Sequence, residues 1–291
     1  MEIVLDSLLD ALKDGVLSIP VLLVAYFLME LLERSERFSE AGIQNKTRKT
    51  GPLLGSLLGI IPQCGISGAA ASLFATGSIT VGTMLAVFFA TSDEMLPVLL
   101  TALAEPNGTV TLPQILSILL IKCLCAVVLG YCADFLLRRV ISSGRDIHSF
   151  CEREHCECEE EEGSAFLAAL KHTVKIAGML ILVGFGLNLL LTLVGPEPVS
   201  QLFHLWPVLR ECVVALFGLI PNCSVSVILT EFYLEGVLPL SCLFSGLLAN
   251  AGIGLLVLVR NHKHPKENAL IIFTLFVLSA LTGCLLSFLP I

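Results

Sequence analysis

Two nine-residue stretches, Gly59-Ile-Ile-Pro-Gln-Cys-Gly-Ile-Ser67 and Gly218-Leu-Ile-Pro-Asn-Cys-Ser-Val-Ser226, lie 159 positions apart and read almost alike. Each sets a proline, a carboxamide, a thiol and a hydroxyl in the middle of an apolar run. Proline lacks an N–H and disfavours helix at the residue before it, so each run must interrupt its helix there. Backbone freed inside a bilayer is tolerated only against protein or a water-filled cavity. Interrupted segments at matching places of two halves are the sequence mark of a binding site between those halves.

The runs are apolar enough for a bilayer to be the solvent. Hydrophobic residues make up 55% of the 291 residues and charged residues 14%, with a mean hydropathy of +0.89. Soluble domains sit near 45–50% apolar and about 25% charged. Several windows exceed the ~18 apolar residues that cross ~30 Å of hydrocarbon. The net charge of -8 owes much to one patch, Glu157 and Glu159 to Glu162, and no basic stripe suits a nucleic acid. Residues Met1 to Asp14 lack a basic n-region, so no cleavable signal peptide is expected. Most of the 11 cysteines fall in apolar spans, where a thiol usually packs as a small hydrophobe.

The duplication extends beyond the nonapeptides. Leu8 to Asp14 matches Phe166 to His172, and Gly77 matches Gly236. Three parts follow: a first transmembrane repeat over 1–137, a Cys/Glu-rich cytoplasmic linker over 138–164, and a second repeat over 165–291. Full spans are expected near 15–34, 79–103, 113–137, 172–194, 237–260 and 268–289, with the motifs inside 51–76 and 209–235. Lysine and arginine crowd the connections 34–50, 138–165 and 260–268 and are absent from 104–112 and 195–207. All the basic connections fall on the cytoplasmic side if each motif segment is a re-entrant hairpin. The expected fold is an all-α polytopic membrane protein with two inverted repeats. Each has three transmembrane helices plus a re-entrant or broken helical hairpin.

Chain direction suggests how the motifs bind. The first arm ends in free carbonyls, and the second begins with free N–H groups, with Ser67 and Ser226 as the expected N-caps. Gln63 and Cys64 lie between the poles in one half, Asn222 and Cys223 in the other. Thr91-Ser-Asp-Glu-Met-Leu-Pro97 places Asp93 and Glu94 side by side within an apolar span. Ionisable groups there are costly and mark a pathway or proton relay. The alternative to that role is an ion pair with Lys122, deep in its own span, and the two are compatible, since an arriving cation could displace the lysine. Asn250 aligns with Thr91, and Glu231 is a candidate to replace the acids that the second half lacks, or else a solvated helix end. Substrate-binding candidates are thus Gln63, Cys64, Ser67, Asp93, Glu94, Asn222, Cys223, Ser226 and Asn250. Proton-coupling candidates are Asp93, Glu94, Lys122 and Glu231. In the linker, Cys151, His155, Cys156 and Cys158 form an N/S donor set for Zn²⁺ or a softer ion, set against a plain acidic loop.

The paired I-P-[QN]-C-x-x-S tips, the Ser92-Asp-Glu-Met95 stretch and ten apolar segments together resemble the bacterial family of ten-segment heavy-metal exporters, whose members carry the labels manganese transporter or arsenic efflux protein. The resemblance rests on Pro62, Gln63, Cys64, Ser67, Asp93, Glu94, Pro221, Asn222, Cys223 and Ser226. It implies metal or metalloid efflux across the cytoplasmic membrane, with the ion and the lipid bilayer as partners and no cofactor. No G-x-x-x-x-G-K-[ST] loop supplies ATP, so a secondary, proton-coupled exporter is expected. Oxygen donors outnumber sulfur among the candidates, which favours Mn²⁺ over an arsenical. An anion carrier built on Lys122 and a membrane thiol oxidoreductase are the other classes. The second would want a C-x-x-C pair, which the sequence lacks. No enzyme activity is expected, and self-association as a homo-oligomer is left open.

Overall fold

The computed structural model describes residues 40–61, 64–92, 95–104, 110–137, 140–141 and 207–288, with isolated helical positions at 19, 20, 23, 27, 170, 174, 178, 182 and 185. Every regular element among them is an α-helix. In chain order these are α1 (Glu40–Gly59), α2 (Cys64–Ala75), α3 (Val81–Ala90), α4 (Met95–Ala104) and α5 (Leu112–Leu137), then α6 (Pro207–Gly218), α7 (Cys223–Leu234), α8 (Leu240–Ala249), α9 (Gly254–Asn261) and α10 (Pro265–Ser287). The second five follow the succession of the first. The expected spans 15–34 and 172–194 and the linker fall almost wholly outside the described residues.

Local chemistry sets the helix ends. Thr80 caps α3, its Oγ1 accepting from the Thr83 N–H at 3.1 Å. Asp134 of α5 reinforces that end, accepting from the Gly82 N–H at 2.7 Å and from Thr80 Oγ1 at 2.9 Å. A carboxylate there also answers the positive end of the helix dipole. The ends of α2 and α7 repeat one another. Gly77 (φ 79°) donates to the Phe74 carbonyl and Ser78 to that of Leu73; Gly236 (φ 74°) donates to Tyr233 and Val237 to Phe232. This is the Schellman closure, which needs a left-handed residue that glycine supplies without strain.

Two three-helix packs make the frame: α3 lies against α1 and α5, and α8 against α6 and α10. Helices α3 and α8 are apolar all round and buried along nearly their whole length, as a helix without a polar face must be. Helices α5 and α10 instead turn large apolar side chains outward, among them Leu116, Leu120, Leu124 and Phe135, then Phe273, Leu281 and Leu285. Apolar surface on that scale is at home in lipid and not in water. Four runs are long and apolar enough to cross a bilayer: Val81–Leu103, Leu112–Leu137, Leu240–Asn261 and Pro265–Ser287. They correspond to four of the six expected spans. The remaining helices cross between the packs, with α2 lying mainly on α9 and α7 on α8 and α4.

Two features differ from the sequence reading. The spans 79–103 and 237–260, expected as unbroken helices, are each interrupted, at 91–92 and at 250–253. At the first, the Thr91 hydroxyl donates to the Val87 carbonyl (2.8 Å) and the Ser92 hydroxyl to that of Ala90 (2.9 Å). Short hydroxyl side chains thereby offer the backbone an alternative to the helix ladder. At the second, Asn250 Oδ1 accepts from the Gly252 N–H at 3.0 Å, and Gly252 takes a φ of 52°. Secondly, Ser67 and Ser226 do not cap: each lies inside its helix, because α2 begins at Cys64 and α7 at Cys223.

Candidate functional site

Each half therefore carries two interruptions, the Pro-containing motif and a second break in the next apolar run. The buried interior brings three of their flanks together. A Cβ placed on Gly254, the first residue of α9, would lie 3.0 Å from Ser67 Cβ and 2.6 Å from the ring of Phe88. Ser67 belongs to the first motif, Phe88 to the last turn of α3 before the 91–92 break, and Gly254 follows the 250–253 break. Further along, Asn261 Nδ2 of α9 donates to Ser72 Oγ of α2 at 3.1 Å. Contacts at both ends in the same order mean that α2 and α9 run parallel, with α9 starting beside the first turn of α2. Two helix N-termini, each a partial positive pole, thus stand beside the carbonyl end of α3.

Lys122 closes the other side of the first break. Its side chain is 1% exposed, and Nζ donates to the Thr91 carbonyl and, at 3.3 Å, to Ser92 Oγ. A buried amine donor is thus held against backbone that the helix has released. Among the described residues no lysine is bonded to the second break. The contact of Gly130 with Ala86 and that of Gly283 with Ser245 set the register between α5 and α10, and in that register Leu275, fully buried, stands where Lys122 does.

The expected site residues divide as follows. Ser67, Ser226, Asn222 and Asn250 are all buried at 5% exposure or less. Asn222 is the N-cap of α7, accepting from the Ser224 N–H at 3.0 Å, the role expected of Ser226. The Ser226 carbonyl instead accepts from Thr230 Oγ1 at 2.6 Å. Asn250 holds the turn at the second break. Cys64 and Cys223 are the first residues of α2 and α7, with side chains outside the described set. Pro62, Gln63, Asp93, Glu94, Cys151, His155, Cys156 and Cys158 also lie outside the described residues. Glu231 is exposed on the last turn of α7, the solvated-end alternative.

No family model, curated protein or solved structure matches this chain.

Glu211 is a buried acid that the sequence reading passed over. It sits on α6 with no exposed surface, and Oε1 accepts from Ser241 Oγ at 2.7 Å and from Cys242 Sγ at 3.3 Å. A lone acid near the start of an apolar run looks like an interfacial end group. Only its alignment with Pro52, 159 positions earlier, hints that packing alone does not call for it.

The cap at Asn222 provides a direct test of how the motif is built. Asn222→Ala is expected to lower stability by about 1 kcal/mol, the usual cost of losing an Asn cap. A thermal unfolding midpoint in detergent unchanged from the parent would show that the α7 start is held by other groups.

Proposed function

We propose that the chain is a secondary transporter of the cytoplasmic membrane that exports a metal ion, with Mn²⁺ the favoured substrate and protons the coupling ion. The carrying observation is the meeting of interrupted helices in the core of an apolar helical protein, at Ser67, Phe88 and Gly254. Helix breaks concentrate unsatisfied carbonyls and N–H groups, and a membrane protein keeps such backbone only against protein or a water-filled cavity, which is where carriers build their sites. The binding position on this reading lies between the breaks at 91–92 and 250–253 and the motif tips. Asp93 and Glu94 follow the Thr91-Ser92 backbone that Lys122 holds, and Asn222, Asn250 and the motif side chains complete an oxygen-rich set suited to Mn²⁺. The two halves are inverted relative to one another, as the basic connections require. This reading agrees with the resemblance to the ten-segment exporters. Within it, the thiols of Cys64 and Cys223 are the ligands an arsenical would need instead.

One observation favours a second reading. Lys122 and the paired N-termini of α2 and α9 form a positive environment, which suits an anion carrier.

Expression in a metal-sensitive bacterial host tests the proposal, with survival and cell metal content compared under Mn²⁺, Zn²⁺, Cu and arsenite. Lower cell manganese and raised Mn²⁺ tolerance are expected. Cys64→Ser combined with Cys223→Ser should leave Mn²⁺ tolerance within about twofold of the parent, because sulfur contributes little to hard-ion binding. Protection against arsenite that the same double variant abolishes would move the assignment to the arsenical.

A further inference from the structure

We propose that Glu211 is a proton-binding site that exchanges a proton with water through Ser241. The use of that proton to drive export rests on the function proposed above; the binding itself does not.

The second carboxylate oxygen carries the inference. Glu211 Oε2 is buried and has no hydrogen-bond donor, while Oε1 takes both the Ser241 hydroxyl and the Cys242 thiol. Ser245, which lies within reach, spends its proton on the Glu211 backbone carbonyl at 2.8 Å. An ionised carboxyl shares its charge over both oxygens, and a buried half-charge without a donor costs far more than an unpaired neutral hydroxyl. A proton on Oε2 removes the charge and leaves both donors on Oε1 in place.

Among the described residues no cation is bonded to Glu211 itself, and Arg210 reaches only Cys242, the thiol that donates to Oε1. On α6 itself, Arg210 and Cys212 flank Glu211, but neighbours on a helix point about 100° apart. Arg210 hydrogen-bonds Cys242 and acts on it electrostatically, while its Nε is buried without a partner. From α8 the titratable neighbour is Cys242, and from α10 it is Cys284, which lies within the electrostatic reach of Glu211.

Comparison with the first half shows that packing does not demand this acid. A Cβ on Gly130 would meet Ala86 Cβ at 2.7 Å and Pro52 Cβ at 3.1 Å, whereas one on Gly283 would meet Ser245 Cβ at 2.6 Å and Glu211 Oε2 at 2.7 Å. One corner is built twice, apolar in the first half and acidic in the second. In the same register the buried, unpartnered hydroxyl of Ser279 replaces Ala126.

A cavity of about 170 Å³ adjoins the serine that donates to Glu211: Ser241 lines it with Ile121, Pro239, Phe244, Leu286 and Ser287. At about 30 Å³ per water, that is room for a short chain of them. A hydronium in the cavity passes a proton to Ser241 Oγ as the hydroxyl's own proton moves to Glu211 Oε1. The serine is regenerated, a water remains, and one O–H bond forms on the carboxyl. Rotation of the carboxyl then moves that proton to the Oε2 side, and release reverses the path.

The purified full chain in detergent or liposomes tests this without any transport measurement. Dicyclohexylcarbodiimide, which adds to protonated carboxyls in apolar surroundings, is expected to label Glu211 at neutral pH, more so as pH falls, with the adduct located by peptide mass spectrometry. Infrared spectra should show a protonated-carboxyl carbonyl band that Glu211→Gln, nearly isosteric with the neutral acid, removes without loss of fold. Ser241→Ala should keep that band but slow its deuterium shift several-fold. The absence of both label and Glu211-dependent band overturns the proposal. So does labelling that Na⁺ suppresses at constant ionic strength, which would make Glu211 a sodium ligand. A Glu211 that binds protons in a chain that exports no metal would leave this inference standing and remove the function proposed above.

Discussion

An Asp93→Asn protein is expected to export Mn²⁺ no faster than cells lacking the chain, while a Lys122→Met protein keeps a measurable fraction of the activity. Asparagine preserves shape but removes the negative charge that binds a divalent ion and the basic oxygen that accepts a proton, so both proposed duties of Asp93 disappear together. Lys122 plays a different part. Its ammonium satisfies the Thr91 carbonyl and Ser92 hydroxyl at the first break, and removing it strands a buried acceptor at a cost of about 1–3 kcal/mol. The loss falls on stability and on the shape of the break. Methionine has a comparable length, and the fully buried Leu275 holds the corresponding place in the second half, so an apolar side chain fits this packing. Cell manganese and the amount of folded protein, measured on the same samples, separate the two effects. The opposite pattern, with Lys122→Met inactive although folded and Asp93→Asn exporting normally, would assign the site to an anion.

The sequence made the lipid-facing runs legible because hydropathy is local: 113–137 and 268–289 needed only their own residues, and α5 and α10 cover most of both. It also made the motif interruption legible, since Pro62 and Pro221 announce it. The break at 91–92 was hidden because threonine and serine cost a helix little and carry no turn signal. Their effect comes from hydroxyls bonding to the carbonyls of Val87 and Ala90, with a lysine 31 residues away completing the contacts. The second break did leave a trace in Asn250-Ala-Gly252, whose glycine the φ of 52° requires. The crossing of α2 onto α9 left none, because it depends on contacts such as Asn261 with Ser72, 189 positions apart. Asn222 outcompeted Ser226 for the cap of α7 because the helix starts directly after it. A cap at Ser226 would have placed the helix start four residues too late.

The first glycine of each nonapeptide was visible as a repeat, but its physical reason emerges only from packing. It leads to the larger stability effect expected here. Gly218→Ala should strongly reduce the yield of folded protein. The added Cβ would sit 2.2 Å from the Gly246 carbonyl oxygen, 3.0 Å from its carbon and 3.1 Å from Ala249 Cβ. Two of those three atoms are backbone, so no rotamer change relieves the clash and α6 must move off α8. Overpacking of a tight core costs about 1–3 kcal/mol and sometimes more. The high end applies here because α8 is wedged between α6, α10 and α3. Gly59 makes the same approach in the first half, with Val87 O at 2.6 Å and Ala90 Cβ at 2.7 Å, so Gly59→Ala should act in the same direction. Gly178, whose Cβ would meet nothing within 4 Å, is the control, and alanine there should leave folding unchanged. Fluorescence-detected size exclusion and thermal midpoints for the three variants decide the matter. If Gly218→Ala matched Gly178→Ala, α6 and α8 would not be in backbone contact, and the corner that holds Glu211 against Gly283 would have to be looser than described.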